Sequence, residues 1–175
     1  NTTLQAQIRN SFSISCWVKL DDGQGATRYF AGASVSNNII GFYMLTTGAL
    51  GFTHFSNSDV AIYSANSATF SNDANDWTVG VVVTETGGDT GYKLYVDGEE
   101  IAGTKLLGVS AANHSNYTST TNLGFGALNG STPLSGIDGL IDECAFFDDA
   151  LTDSEMLAIG GGGAPTDITG HDHLF

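Results

Sequence analysis

The residues able to do chemistry in this sequence are acids, histidines and aromatics, and their spacing sorts them into a few groups. Cleaving a glycosidic bond takes two carboxyl groups held at a fixed separation on either side of it. Asp142 and Glu143 are an acidic pair inside an apolar, strand-like segment. Strand neighbours point to opposite faces, so these two are not expected to flank one bond. Asp97, Glu99 and Glu100 gather around a hairpin turn, where solvation accounts for them. For a metal, His171-Asp172-His173 offers transition-metal ligands, but in a segment read as a tail. Asp21-Asp22-Gly23 and Asp73-Ala74-Asn75-Asp76 could supply oxygen ligands to calcium, the one cofactor the sequence offers. Neither run has EF-hand spacing, and the competing reading is loop acids in Asx turns.

Sugar recognition makes a different demand, an aromatic platform beside planar polar groups on rigid loops. Two groups meet it: His54, Asp59 and Tyr63 around one loop, and His114, Asn116 and Tyr117 around another. The second lies in Ser110–Thr121, a polar stretch too long for a tight connection. Each of these residues also reads as an ordinary surface side chain. Asn113, Asn116 and Asn129 open glycosylation sequons, as expected in a chain rich in Asn, Ser and Thr. The sequence has no G-x-S-x-G elbow, phosphate-binding glycine loop or dinucleotide fingerprint, and neither cysteine sits in an electropositive setting.

The elements that must position these residues are strands. Phe12, Ile14, Cys16 and Val18 alternate with Ser11, Ser13, Ser15 and Trp17. Further strands are expected at Arg28–Ser34, Ile39–Leu45, Ala49–Phe55, Val60–Tyr63, Tyr92–Val96, Glu99–Gly103, Asn122–Leu128 and Leu140–Phe147. Trp77–Glu85, dense in valine, reads as a strand covered on both faces. Asp97-Gly98 between apolar runs signals a hairpin, because both turn residues need positive φ. One helix is expected: Thr152 and Glu155 make a capping box, Met156, Leu157 and Ile159 an apolar stripe, and Gly160 the end. Residues 161–175 then form a glycine linker and a flexible C-terminal tail beyond a domain spanning 1–160.

Bulk composition bounds the function. The chain has 175 residues, enough for one sandwich with a real core. Its formal charge of −14, from 19 acids against 5 Lys and Arg, repels phosphate backbones and anionic headgroups. Nucleic acid is therefore excluded as a partner, and no run is long and apolar enough for membrane insertion. Scattered acids also suit solubility in salty surroundings. Cys16 and Cys144 read as two buried thiols in preference to a disulfide. The sequence opens at Asn1 without methionine, and the reading expects a processed chain or a piece of a longer one.

Three segments, in order, resemble the laminin-G-like jelly roll of the concanavalin A-like lectin superfamily. They are SFSISCWVKL at Ser11–Leu20, WTVGVVVTETGGDTGYKLYVDG at Trp77–Gly98, and SGIDGLIDECAFFDDALTDSE at Ser135–Glu155. The resemblance implies two antiparallel sheets packed face to face, and frequent use as a sugar-binding or adhesive appendage of extracellular proteins. It assigns both tryptophans to the family motif, so neither is a free platform. Catalytic relatives of laminarinase type carry E-x-D-x-E on one strand face, a spacing missing here. A strand ahead of F-x-I-S-x-W is reduced to the short, polar Asn1–Asn10, and Asp148-Asp149 replaces the Asn-Arg pair of many relatives.

The expectation is an all-β, two-sheet antiparallel jelly-roll sandwich with one short C-terminal helix, its first and last main strands in one sheet. Phe12, Ile14, Val18, Val81, Val83, Leu94, Val96, Phe125, Ile141 and Phe147 should be largely buried. The expected function is non-catalytic recognition of a glycan or cell-surface ligand, on an extracellular or virion-surface protein. The alternative is a structural assembly or decoration domain of a virion capsid, tail or fibre, contacting other protein chains without binding sugar.

Overall fold

Alternation in the first block does what a half-buried strand requires. In β1 (Phe12–Leu20) the side chains of Phe12, Ile14, Cys16, Val18 and Leu20 all point into the core. The computed structural model describes residues 10–21, 26–35, 38–56, 59–68, 70, 76–86, 89–108, 122–129 and 135–161. Among these, β1 is followed by β2 (Arg28–Val35), β3 (Asn38–Met44), β4 (Leu50–Ser56), β5 (Asp59–Ala65), β6 (Asp76–Thr86), β7 (Asp89–Val96), β8 (Glu99–Ile101), β9 (Gly103–Gly108), β10 (Gly124–Phe125) and β11 (Gly139–Phe147). One helix, α1 (Asp153–Gly160), follows.

The strands form two antiparallel sheets, one ordered β11-β1-β6-β7-β8 and the other β10-β2-β3-β4-β5-β9. The first and last main strands are direct neighbours, with Ser13 opposite Phe147 and Val18 opposite Ile141. On its other side β1 pairs with the valine-rich β6. Between the sheets, Phe12, Ile14, Val81, Val83 and Leu94 meet Phe30, Phe42, Leu50 and Phe52. Phe12 stacks on Phe146 at 5.3 Å and tilts against Phe52 across the sandwich at 6.2 Å. Each such side chain contributes about 1.5–3 kcal/mol by leaving water.

Eight of the ten expected core residues are buried; Phe125 and Ile141 are only partly buried. Both lie on strands at a sheet edge, where one flank has no neighbouring strand among the described residues to cover it. Phe147 is buried on the far side of its sheet, in a second cluster with Val82, Tyr95, Ala145, Leu151, Met156 and Ile159. That cluster is the seat of α1. The expected Glu99–Gly103 strand ends at Ile101, β9 is a strand the alternation did not show, and Asn122–Leu128 shortens to the two residues of β10.

The expected turn and cap are both present. Asp97 and Gly98 take φ of 51° and 80°, and the Asp97 carboxylate accepts the Thr78 N–H at 2.9 Å. The Thr152 hydroxyl accepts the Glu155 N–H at 3.3 Å while the Glu155 carboxylate accepts the Thr152 N–H at 2.7 Å. Met156 and Ile159 are buried but Leu157, expected in the same stripe, is 51% exposed. One residue along a helix turns the side chain by about 100°, which carries position 157 off the seated face.

The helix packs so close to the hairpin turn that its last residue, Gly160, must be glycine. A Cβ on Gly80 would strike Met156, and one on Gly160 would strike the backbone of Asp97 and Gly98 and the Thr78 hydroxyl. Polar contacts clamp its first turn. The Asp153 carboxylate accepts from the Tyr95 hydroxyl at 2.6 Å and from Lys93 Nζ at 2.8 Å, and Lys93 also reaches Glu100 at 3.0 Å.

Two outcomes follow from this docking. Gly160→Ala should lower stability by about 1–3 kcal/mol, the usual range for overpacking; an unchanged urea midpoint would contradict the close contact. The Tyr95 phenol is pushed above its usual pKa, first by burial and then by its bond to Asp153. A pKa raised on folding gives stability that is complete below the unfolded value near 10 and is lost as pH climbs through the folded value. Tyr95→Phe should therefore cost about 1 kcal/mol at neutral pH, and its urea midpoint should converge on that of the parent above about pH 10. Midpoints that stay parallel into strong alkali would refute the role given to this hydroxyl.

Candidate functional site

A two-sheet sandwich has two outer faces on which a ligand could rest. On the five-stranded sheet, α1 and the segment before it occupy the outer face. Ser13 Oγ donates to the Asp149 carbonyl and accepts the Leu151 N–H, both at 2.9 Å. Ser15, on the same face, is buried as well. The six-stranded sheet keeps an outer face whose residues follow from its register.

Tyr29 pairs with Tyr43 across β2 and β3, Tyr43 with Gly51, and Gly51 with Ser64, making one cross-strand row. The adjoining row is Gly32, Gly41 and Thr53. The glycines exist to let rings lie against the sheet. A Cβ on Gly41 would come within 2.6 Å of the Tyr29 ring, and one on Gly51 within 2.7 Å of the Tyr43 ring. Leu128 fills the corresponding space over Gly32 and forms a wall at one end. Aromatic rings covering strand glycines restore the packing that glycine lacks.

The two rings stand 5.2 Å apart at 53°. Tyr43 is 4% exposed, and its hydroxyl shares a 2.7 Å hydrogen bond with Thr53 Oγ1. Tyr29 is half-buried, and its hydroxyl makes no hydrogen bond to the described residues. Burial raises the pKa of both phenols, so both stay protonated donors at neutral pH. The result is a rigid aromatic shelf with one uncommitted hydroxyl beside a fixed Tyr–Thr pair. Such a surface offers an apolar plane for C–H groups and hydroxyls for orientation.

The residues selected from sequence lie elsewhere. His54 is on the inner face of β4, between Ile40 and Ala61 of the flanking strands, and is 1% exposed. It was expected at a loop; strand parity puts it inside, continuing the inward series Leu50, Phe52. Tyr63 lies opposite Phe52, well along β5 from the turn, and stacks on Tyr92 of the other sheet at 5.9 Å. These two are therefore not gathered around one loop. Asp59 opens β5 opposite Ser56, with its side chain outside the described residues. His114, Asn116 and Tyr117 fall outside them too. Trp17 is half-buried, with its Nε1 enclosed and unpartnered, and Trp77 packs edge-on against Phe70 at 5.7 Å.

Asp142 and Glu143 stand at a β-bulge, so simple alternation does not apply to them. Glu143 takes φ of 46° and its N–H is bonded by the Asp142 carboxylate at 2.8 Å. Both remain exposed on the edge strand β11. Among the described residues no three His, Cys, Asp or Glu side chains gather as a metal site. The runs considered for calcium, Asp21–Gly23 and Asp73–Asp76, lie largely outside the described residues. Sequence reasoning passed over Tyr29, Tyr43 and Thr53. Their signal was Gly41 and Gly51 inside aromatic strands, which becomes legible only once the register is known.

Comparison with known proteins agrees with this architecture. No curated protein sequence matches the chain. Among solved structures, a carbohydrate-binding module (CBM40) of the Ruminococcus gnavus intramolecular trans-sialidase, bound to α2,3-sialyllactose, superposes with a TM-score of 0.72 at 18% identity, over 91% of this chain and 86% of that one. The leech intramolecular trans-sialidase gives 0.68 at 17% identity over 92% of this chain, which spans only 24% of that enzyme. A pentraxin of Limulus polyphemus gives 0.59 at 13% identity over 94% and 79%. At these identities the likeness is one of fold. The sequence model described as the concanavalin A-like lectin/glucanases superfamily matches residues 2–156, and this chain, a two-sheet jelly roll over most of its length, belongs to that superfamily.

Proposed function

We propose that this chain is a non-catalytic glycan-binding module and that its sugar lies on the Tyr29–Tyr43–Thr53 face. The observation that carries this reading is the asymmetry of the sandwich: one outer face is occupied by α1, the other presents the partly exposed Tyr29 ring on a glycine shelf. Structures of the same fold that hold sialyllactose support it. The described side chains of this face include no carboxylate, so it can hold a sugar without the acid pair that hydrolysis needs.

The glycan it takes is neutral. Recognition of a sialic acid carboxylate favours an unengaged, bidentate guanidinium. Here each described Lys and Arg already makes a contact, and none forms a bidentate fork toward the Tyr29–Tyr43 face: Lys19 meets Asp76 at 3.5 Å, Lys93 meets Asp153 and Glu100, Arg28 donates through one nitrogen to the Gly136 carbonyl at 3.4 Å, and Lys105 lies over the Tyr92 ring at 5.8 Å. With a formal charge of −14 the chain also repels anionic ligands at long range.

One observation favours the other reading, an assembly domain on an extracellular or virion-surface particle. Among the described residues β11 is an edge strand, and Leu140 on it is 67% exposed. Such an edge can pair with a second chain.

Binding should appear on an array of neutral oligosaccharides, and Tyr29→Phe, which keeps the ring over Gly41 and removes only its hydroxyl, should weaken it about tenfold, or 1.4 kcal/mol, without altering the melting curve of the fold. Binding confined to sialylated glycans would refute the neutral specificity. A monodisperse oligomer that binds no glycan would favour assembly.

A further inference from the structure

We propose that Cys16 and Cys144 are a redox pair that closes into a disulfide in an oxidising medium, tying the first core strand to the last. The register of β1 against β11 carries the argument. It runs Ser13 to Phe147, Ile14 to Phe146 and Ser15 to Ala145, then resumes at Trp17 to Asp142. Cys16 therefore faces the two-residue bulge Glu143-Cys144. Glu143 absorbs the extra residue at positive φ, and the bulge re-aims the next side chain. Cys144 turns inward as a result and packs against the main core, where Cys16 is already buried.

The two thiols are near enough to perturb one another's ionisation, with Cys144 Sγ donating to the Asp142 carbonyl at 3.9 Å. Residues facing each other on neighbouring antiparallel strands have Cα atoms roughly 4.5–5.5 Å apart, inside the range a disulfide spans. Their surroundings also divide the labour. Cys16 is fully buried, and burial followed by the contact with Cys144 holds its pKa high. Cys144 is only partly buried, and the neighbouring Cys16 thiol lowers its pKa. The accessible thiol is thus the one a dissolved oxidant reaches first, and the enclosed thiol is the one placed to resolve.

The chemistry balances with a low-molecular-weight disulfide as oxidant. Cys144 thiolate attacks one sulfur of oxidised glutathione, forming a mixed disulfide and expelling one glutathione thiolate. Cys16 gives its proton to that thiolate or to water and attacks Cys144 Sγ, breaking the mixed disulfide and releasing the second glutathione. Two protein thiols are oxidised by two electrons, and one glutathione disulfide is reduced to two thiols. The product links residues far apart in sequence, so it restrains the unfolded chain strongly.

The full chain, unfolded and refolded in a glutathione redox buffer, should lose both free thiols by Ellman assay and two hydrogens by intact mass. Peptide mapping should recover a Cys16–Cys144 cross-link. Its melting temperature should rise by about 10 °C, fall back on adding dithiothreitol, and show no such rise in the double variant Cys16→Ala/Cys144→Ala. Two titratable thiols after refolding, glutathione retained on Cys144, or cross-linked dimers would each overturn the proposal.

Discussion

The structure depends on β1 being paired along both edges, by β11 on one side and β6 on the other. Those partners come from the end and the middle of the chain, so no half of the sequence can build this sheet alone. The inward face of β1 supplies Phe12, Ile14, Cys16 and Val18 to the core between the sheets. Its outward face supplies Ser13, whose hydroxyl bonds both Asp149 and Leu151 and so fixes where the chain leaves β11 for α1. One strand thus organises both apolar layers. Pairing of this range closes large loops before any contact rewards them, which is characteristic of slowly folding β-sandwiches.

The consequence for function is a division of faces. Gly80 lets Met156 reach the sheet, and Gly98 meets Gly160 where the hairpin turn touches the end of the helix. On the opposite sheet, glycines do a related job with a different result. Gly41 and Gly51 seat tyrosine rings that belong to their own sheet; Tyr43 and Ser64 are buried there, and Tyr29 and Thr53 stay partly exposed. The same residue type closes one face by admitting a helix and furnishes the other by flattening its aromatics.

Much of this fold was legible in the sequence, because period-two alternation, Asp97-Gly98 and the Thr152–Glu155 box each encode a local geometry that tertiary packing then respected. What was not legible depends on register. Phe30 falls at an irregularity between Tyr29 and Ala31, which moves Gly32 rather than Ala31 to the outer face. The second irregularity, at Glu143-Cys144, breaks the alternation on which the opposed directions of Asp142 and Glu143 were argued. His54 was misplaced for a related reason. A histidine two residues from a turn looks like a loop residue until strand parity is counted from Leu50 and Phe52. The aromatic shelf needed three strands in register before its two tyrosines became neighbours.

On the proposed reading, how such a sandwich would bind a sugar and leave it intact depends on what the outer face of the six-stranded sheet displays. Cleavage requires two carboxyl groups on one face, held on either side of the same bond. The described rows here run Tyr29, Tyr43, Gly51, Ser64 and Gly32, Gly41, Thr53, side chains that stack and hydrogen-bond but carry no charge at neutral pH. The described acids sit at strand ends, at turns, at the bulge of β11 or under the clamp on α1, where each is solvated or engaged with the fold. On the proposed reading a strongly acidic protein keeps an uncharged recognition surface: no described side chain of those rows is charged, and the rings of the shelf would select a sugar by shape and hydroxyl geometry.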